Sequence, residues 1–192
     1  MIHGKPLAIK EECDLSNAVI SSWFGGEKGP EAVVDVLLGK VNPGGRLPFS
    51  LPRRSTMIPC YYSMLPGPFW DYKDTTRFPL YAFGHGLSYT TFEYSALQIT
   101  RTGEFAFEVS CVVKNIGERD GDEVVQLYID DVESSIVTPL LLLKGFKRIH
   151  LKAGESREVA IQLDWDSFKL MNARYNWTVE PGLFRILVGA AS

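Results

Sequence analysis

The sequence has little cysteine: three residues in 192, at Cys13, Cys60 and Cys111. An odd and widely spaced set builds no disulfide framework and lacks the paired spacing of a zinc site. Histidine is equally scarce. His3, His85 and His150 are scattered, and no two have the i, i+4 spacing that sets a pair of imidazoles on one helix face. Neither charge sign dominates. Twenty Lys and Arg stand against 23 Asp and Glu, for a formal net charge of −3. That balance supplies no basic footprint for nucleic acid and no polybasic patch for a membrane. No apolar run approaches the ~18 to 20 residues that span a bilayer. The opening MIHGKPLAIKEE lacks the long apolar stretch of a secretory leader, so none is expected within this sequence. With 45% hydrophobic and 22% charged residues, a wholly disordered chain is excluded as well.

What is present divides into three textures. Residues 1–53 read as a piece of an α/β layer. Pro6 to Ile9 and Ala18 to Phe24 are short apolar stretches of strand character. Glycines follow, and then Pro30-Glu31-AVVDVLL-Gly39 has the marks of a helix. Proline suits its first position and Glu31 the positive end of its dipole. Val33 with Leu37, and Val34 with Leu38, are i, i+4 pairs that give one apolar face, while Gly39 suits a left-handed close. One short helix and two strands bury too little surface to stand alone, so the layer is expected to be incomplete.

Residues 54–93 combine Pro59, Pro66, Pro68 and Pro79 with many aromatic side chains. Proline at this density opposes regular structure, and aromatics at this density oppose a free linker. An ordered, extended interdomain segment is expected, its rings either packing between domains or lining a ligand cleft.

Residues 94–192 alternate with period two. Phe105, Phe107, Val109, Cys111 and Val113 form one such run; Val125, Leu127 and Ile129 form another. Val159, Ile161 and Leu163, then Phe184, Ile186 and Val188, repeat the pattern. Turn residues such as Asn115-Ile116-Gly117 and Glu180-Pro181-Gly182 separate the runs. About seven antiparallel strands in roughly 100 residues match an immunoglobulin-like sandwich. The fold class expected is therefore mixed: a partial α/β layer followed by an all-β immunoglobulin or fibronectin type III-like sandwich.

Local chemistry is sparse. Glu118, Asp120, Asp122 and Glu123 crowd one turn, without the ligand spacing of a calcium loop, and read as a hairpin. Gly25-Gly26-Glu27-Lys28-Gly29 precedes a helix but lacks the Lys-Ser or Lys-Thr of a phosphate loop. Tyr128 is the main aromatic expected to face outward from the sandwich strands. No nucleophile can be assigned to His85, and no two acids are marked as an opposed pair. No metal ligand set and no cofactor are expected.

Three stretches carry more. WFGGEKGPEAVVDVLLGKVNPGGRLPFSLPR (residues 23–53), FPLYAFGHGLSYTTFEYS (78–95) and a third group, VVKNIGERDGDEVVQLYIDD, LLLLKGFKRIHLKAGESREVAIQLD and WTVEPGLFRILVGAAS, follow in order. Together they resemble the C-terminal portion of glycoside hydrolase family 3 enzymes, the β-glucosidases and β-xylosidases. The resemblance spans essentially the whole chain. It implies a three-part plan of barrel, α/β sandwich and fibronectin type III-like domain, with retaining chemistry between an Asp on the barrel and a Glu on the α/β sandwich. No residue here matches either catalytic motif, so none is carried over. The resemblance thus implies a non-catalytic scaffold, inactive in isolation, of an enzyme hydrolysing O-glycosyl bonds of β-glucosides or β-xylosides. Its partners would be the missing barrel and the rest of the α/β sandwich. Trp70, Tyr72 and His85 are the candidate substrate-binding residues, since aromatic faces suit sugar faces. The alternative reading is a stand-alone carbohydrate-binding or adhesion module.

Overall fold

A computed structural model of the chain describes residues 4–67, 73 and 75–192. Two short helices, α1 (Lys10–Asp14) and α2 (Gly29–Leu37), precede all of the long strands. The apolar stretches 6–9 and 18–24, expected as strands, do not form them. A strand persists only where a second strand pairs along its length, and among the described residues neither stretch belongs to a paired strand. Helix α2 forms where its start and stop signals put it: Pro30 lies in its first turn and Gly39 follows it at φ +69°. A nine-residue helix is marginal without tertiary cover, yet none of its residues is buried. Val34, Leu37 and Leu38 are 48%, 66% and 66% exposed.

The sandwich is built from β1 (Phe92–Arg101), β2 (Phe107–Asn115), β3 (Gly121–Asp131), β4 (Leu142–Leu151) and β5 (Ser156–Leu163). After them come α3 (Trp165–Phe168), β6 (Leu170–Met171), β7 (Trp177–Thr178) and β8 (Phe184–Gly189). One sheet has the order β1-β2-β5 and the other β4-β3-β8, with β6 and β7 as a small ribbon. Pairing is antiparallel throughout, as in Cys111 opposite Val159 and Leu127 opposite Val188. Alternation sends Cys111, Val113 and Val159 from one sheet against Val125, Ile149 and Leu151 of the other. Cys111 is thus a core residue, and burial pushes its thiol pKa up. Helix α3 closes one end of the core. Asp164 caps it reciprocally with Ser167, and Phe168 meets Phe107 and Phe184 edge-on at centroid distances of 5.4 and 5.2 Å.

Strand β3 is central and covered on both faces. Leu127 and Ile129 face the sandwich core, while Gln126 and Tyr128 lie under the aromatic segment. Tyr128, expected to face outward into solvent, is only 2% exposed, because Tyr62 packs edge-on against it at 6.3 Å and stacks on Phe83 at 4.2 Å.

Candidate functional site

The chemistry-bearing residues gather at the seam between the N-terminal piece and the sandwich. Asn42 is its first fastener: the side-chain amide donates to the Asp120 carbonyl at 2.9 Å and accepts from the Ser88 hydroxyl and the Tyr89 N–H. The Tyr89 hydroxyl donates to the Val36 carbonyl at 2.8 Å, and Arg119 reaches the Gly39 carbonyl at 3.2 Å. Both contacts take carbonyls at or just past the end of α2, where intrahelical donors run out; the Val36 carbonyl also accepts from Gly39 N–H at 2.9 Å. Arg46 is the second fastener. It reaches Glu123 of β3 at 2.8 Å, with both side chains buried. Beside them the Tyr94 hydroxyl has its pKa pushed above the usual tyrosine range by burial and the Glu123 charge.

His85 lies in this seam. Its carbonyl accepts from Leu47 N–H at 2.9 Å, its own N–H donates to Ala82, and its ring stacks on Tyr81 at 4.8 Å. Burial, then the Arg46 charge, lowers its pKa, so the imidazole is neutral at pH 7. Tyr81 is itself shifted upward, first by a hydrogen bond with Cys13 and then by burial. The glycines flanking His85 are fixed by close approach. A Cβ on Gly84 (φ +83°) would lie 2.1 Å from Gln126 Oε1, and one on Gly86 2.2 Å from the Gly45 carbonyl. Trp70 and Tyr72, the other two candidate substrate-binding residues, lie outside the described residues. Of the three, the structure places only His85.

The acidic turn is spent on structure. Asp120 accepts from Ala153 N–H at 2.9 Å, Glu123 holds Arg46, and Asp122 accepts from Arg148 and from His150, the latter at 2.7 Å. Burial opposes ionisation of Asp122, but the Arg148 and His150 hydrogen bonds outweigh it and hold the carboxyl below its usual range. Among the described residues no group of His, Cys, Asp and Glu has metal-holding geometry. In the glycine loop a Cβ on Gly25 would meet Gly29 Cα at 2.7 Å, so the glycine serves a tight turn.

One feature was not signalled by any motif. The β3–β4 loop borders an open groove of about 700 Å³ lined by Asp130, Asp131, Glu133 and Glu180. Glu180 accepts from the Ser135 hydroxyl and N–H at 2.6 and 2.9 Å, and these bonds lower its pKa. Asp131 is raised by burial, Glu180 and Asp130. Asp130 is paired with Arg185 at 3.1 Å. Carboxyls with opposed shifts are the pattern of an acid/base pair, but the groove is wide open to water and Glu180 is committed to Ser135.

Residues 1–89 match the Glycosyl hydrolase family 3 C-terminal domain, and residues 123–192 match the Fibronectin type III-like domain. A periplasmic beta-glucosidase of Salmonella typhimurium is 38% identical across all of this chain, which covers 27% of that protein. A beta-xylosidase of Formosa agariphila is 41% identical, again across all of the chain and 28% of the relative. Among solved structures, a β-glucosidase from Erythrobacter marinus superposes with a TM-score of 0.94 at 38% identity, covering 100% of this chain and 26% of that one. The Listeria innocua beta-glucosidase in complex with isofagomine gives 0.92 at 34% identity, with 99% and 28% covered. The chain therefore spans about a quarter of the length of these relatives.

Proposed function

The chain belongs to glycoside hydrolase family 3, as a C-terminal portion of that family's plan, and from this we propose that it is the non-catalytic scaffold of a retaining β-glycosidase. The whole enzyme hydrolyses O-glycosyl bonds of β-glucosides or β-xylosides, the activities named for the relatives. Both reactive carboxyl groups reside on polypeptide outside these residues, on a barrel and on the remainder of the α/β sandwich. Retention places those groups about 5 to 5.5 Å apart across the glycosidic bond, which demands a rigid support. The segment carrying Trp70, Tyr72 and His85 borders the sugar site in this reading.

The observation that carries the proposal is the uncovered apolar face of α2. Burying Val34, Leu37 and Leu38 fully is worth roughly 1.5 to 3 kcal/mol each, and the described residues leave them 48%, 66% and 66% exposed. A stand-alone module covers its own helix. The far end of α2 is nevertheless fastened to the sandwich through Tyr89, Arg119 and Asn42. The piece is held in position for a surface it does not itself contain.

Reconstitution tests this. The chain is mixed with a separately produced polypeptide carrying the barrel and the preceding α/β residues of the same enzyme. Aryl β-glucosides and β-xylosides are then offered. Turnover that depends on both pieces supports the scaffold role. Full activity of the other piece alone overturns it.

A further inference from the structure

Away from the seam, two indoles are gathered on the surface at one end of the sandwich. Trp165 opens α3 and Trp177 opens β7, and they are 37% and 53% exposed. Neither ring belongs to the hydrophobic core clusters. Both face a common point, marked by the Lys169 ammonium, which lies 5.4 Å from the centroid of Trp165 and 4.9 Å from that of Trp177. Asp166 pairs with this ammonium at 2.8 Å. The neighbouring turn is tightly closed. Asn172 Oδ1 accepts from the N–H groups of Arg174 and Asn176, and Tyr175 N–H donates to the Asn172 carbonyl. That turn holds Tyr175 at φ +61° with 85% of its surface exposed.

We propose that Trp165, Trp177 and Lys169 form a surface subsite for a β-linked pyranose chain, separate from the seam. The chemistry is complementary on both counts. The C–H face of an all-equatorial pyranose is flat and apolar and suits the negative face of an indole. Its ring hydroxyls accept from an ammonium and donate to a carboxylate, which Lys169 and Asp166 supply beside one face of each ring. Lys169 occupies one face of each indole by cation–π attraction and keeps the two rings apart, so the exposed surface of each ring, away from the ammonium, is what a sugar face would cover. A protein partner is the poorer occupant. Interfaces deplete charge at their centre, and here the centre is an ammonium with its counter-ion beside it. The choice of β-linked glucose or xylose units rests on the proposed function; the presence of the subsite does not.

The test is affinity electrophoresis of the full chain through gels containing soluble xylan, soluble β-glucan or no polysaccharide, with tryptophan fluorescence titrations of xylopentaose and cellopentaose alongside. Retardation in a polysaccharide gel is expected. Trp177→Ala should weaken it about tenfold, the loss typical of one stacked ring, with the thermal midpoint nearly unchanged because the ring is outside the core. Trp177→Phe, which keeps an aromatic face, should retain most of the binding and guards against a folding defect. No retardation in either polysaccharide gel, or retardation undiminished in the Trp165→Ala, Trp177→Ala double variant, overturns the subsite. So does failure of Trp177→Ala to reconstitute turnover with the other piece, since that would mean the missing polypeptide covers these rings. Loss of polysaccharide binding with reconstitution intact leaves the scaffold reading standing.

Discussion

Arg46 and Glu123 meet at 2.8 Å with only 8% and 4% of their side chains exposed, joining the N-terminal piece to the central strand of the sandwich. Glu123 Oε1 also accepts from Val124 N–H at 2.7 Å. Two charges this deep are expensive singly and tolerable together. Glu123→Ala leaves Arg46 buried without its counter-charge and should cost about 3 to 5 kcal/mol in denaturant unfolding. The double variant Arg46→Met, Glu123→Leu should recover most of that loss. A single-variant cost below about 1 kcal/mol would mean the pair is open to water.

Gly84 is the second point where backbone and side chain leave no slack. Gln126 cannot retreat from an added methyl group, because its amide donates to the Ala190 carbonyl at 2.6 Å and its oxygen accepts from Tyr128 at 2.5 Å. Gly84→Ala combines this clash with a positive φ and should destabilise by at least about 2 kcal/mol. Thermal unfolding of Gly84→Ala beside Gly154→Ala isolates the clash. Gly154 shares the positive φ, but nothing lies within 4 Å of its would-be Cβ, so it should cost less.

His85 makes stability depend on pH in a defined direction. Its folded pKa lies below the ordinary 6.5, so the folded state prefers the neutral ring. The stabilisation is fully present above the unfolded value and is lost as pH falls from about 6.5 toward the folded value. The unfolding free energy of the parent minus that of His85→Phe should therefore decline through this window. A flat difference from pH 7.5 to 5 would contradict the half-buried placement of His85 within reach of the Arg46 charge.

Asp131 has the opposite sign for a carboxyl. Its raised pKa means that ionisation in the groove costs stability. The favourable contribution exists below the unfolded pKa and is lost as pH rises through the folded one. Asp131→Asn should raise the thermal midpoint at neutral pH, and the gain should vanish under acid conditions where both forms are neutral. In the reconstituted enzyme the same variant should leave turnover unchanged.

The sandwich was legible in the sequence because its signal is local. The runs around Val109 to Val113, Val125 to Ile129 and Val159 to Leu163 alternate in order to fill one core, and they became β2, β3 and β5. Tyr128 defeated that logic. Alternation assigns it to the outer face, and only the tertiary fold shows that Tyr62 and Phe83 cover that face. The stretches 6–9 and 18–24 failed for a related reason: their composition suits a strand, but strands form in pairs. Helix α2 was readable since Pro30 and Gly39 mark its ends, whereas the exposure of Leu37 and Leu38 depends on what is packed beside them. For the candidate site, the glycines around His85 hinted at close approach without naming Gln126 or Gly45 as the cause. The Trp165–Lys169 spacing of four residues was present in the sequence, but Trp177 joins it only through the β6–β7 ribbon.

The central claim is that this polypeptide supports catalysis without performing it. The most direct measurement is release of nitrophenol from aryl β-glucosides and β-xylosides by the purified chain alone, with Asp131→Asn and Glu180→Gln variants in parallel. The account predicts a rate indistinguishable from buffer for all three. Turnover by the parent chain that either substitution abolishes would contradict it.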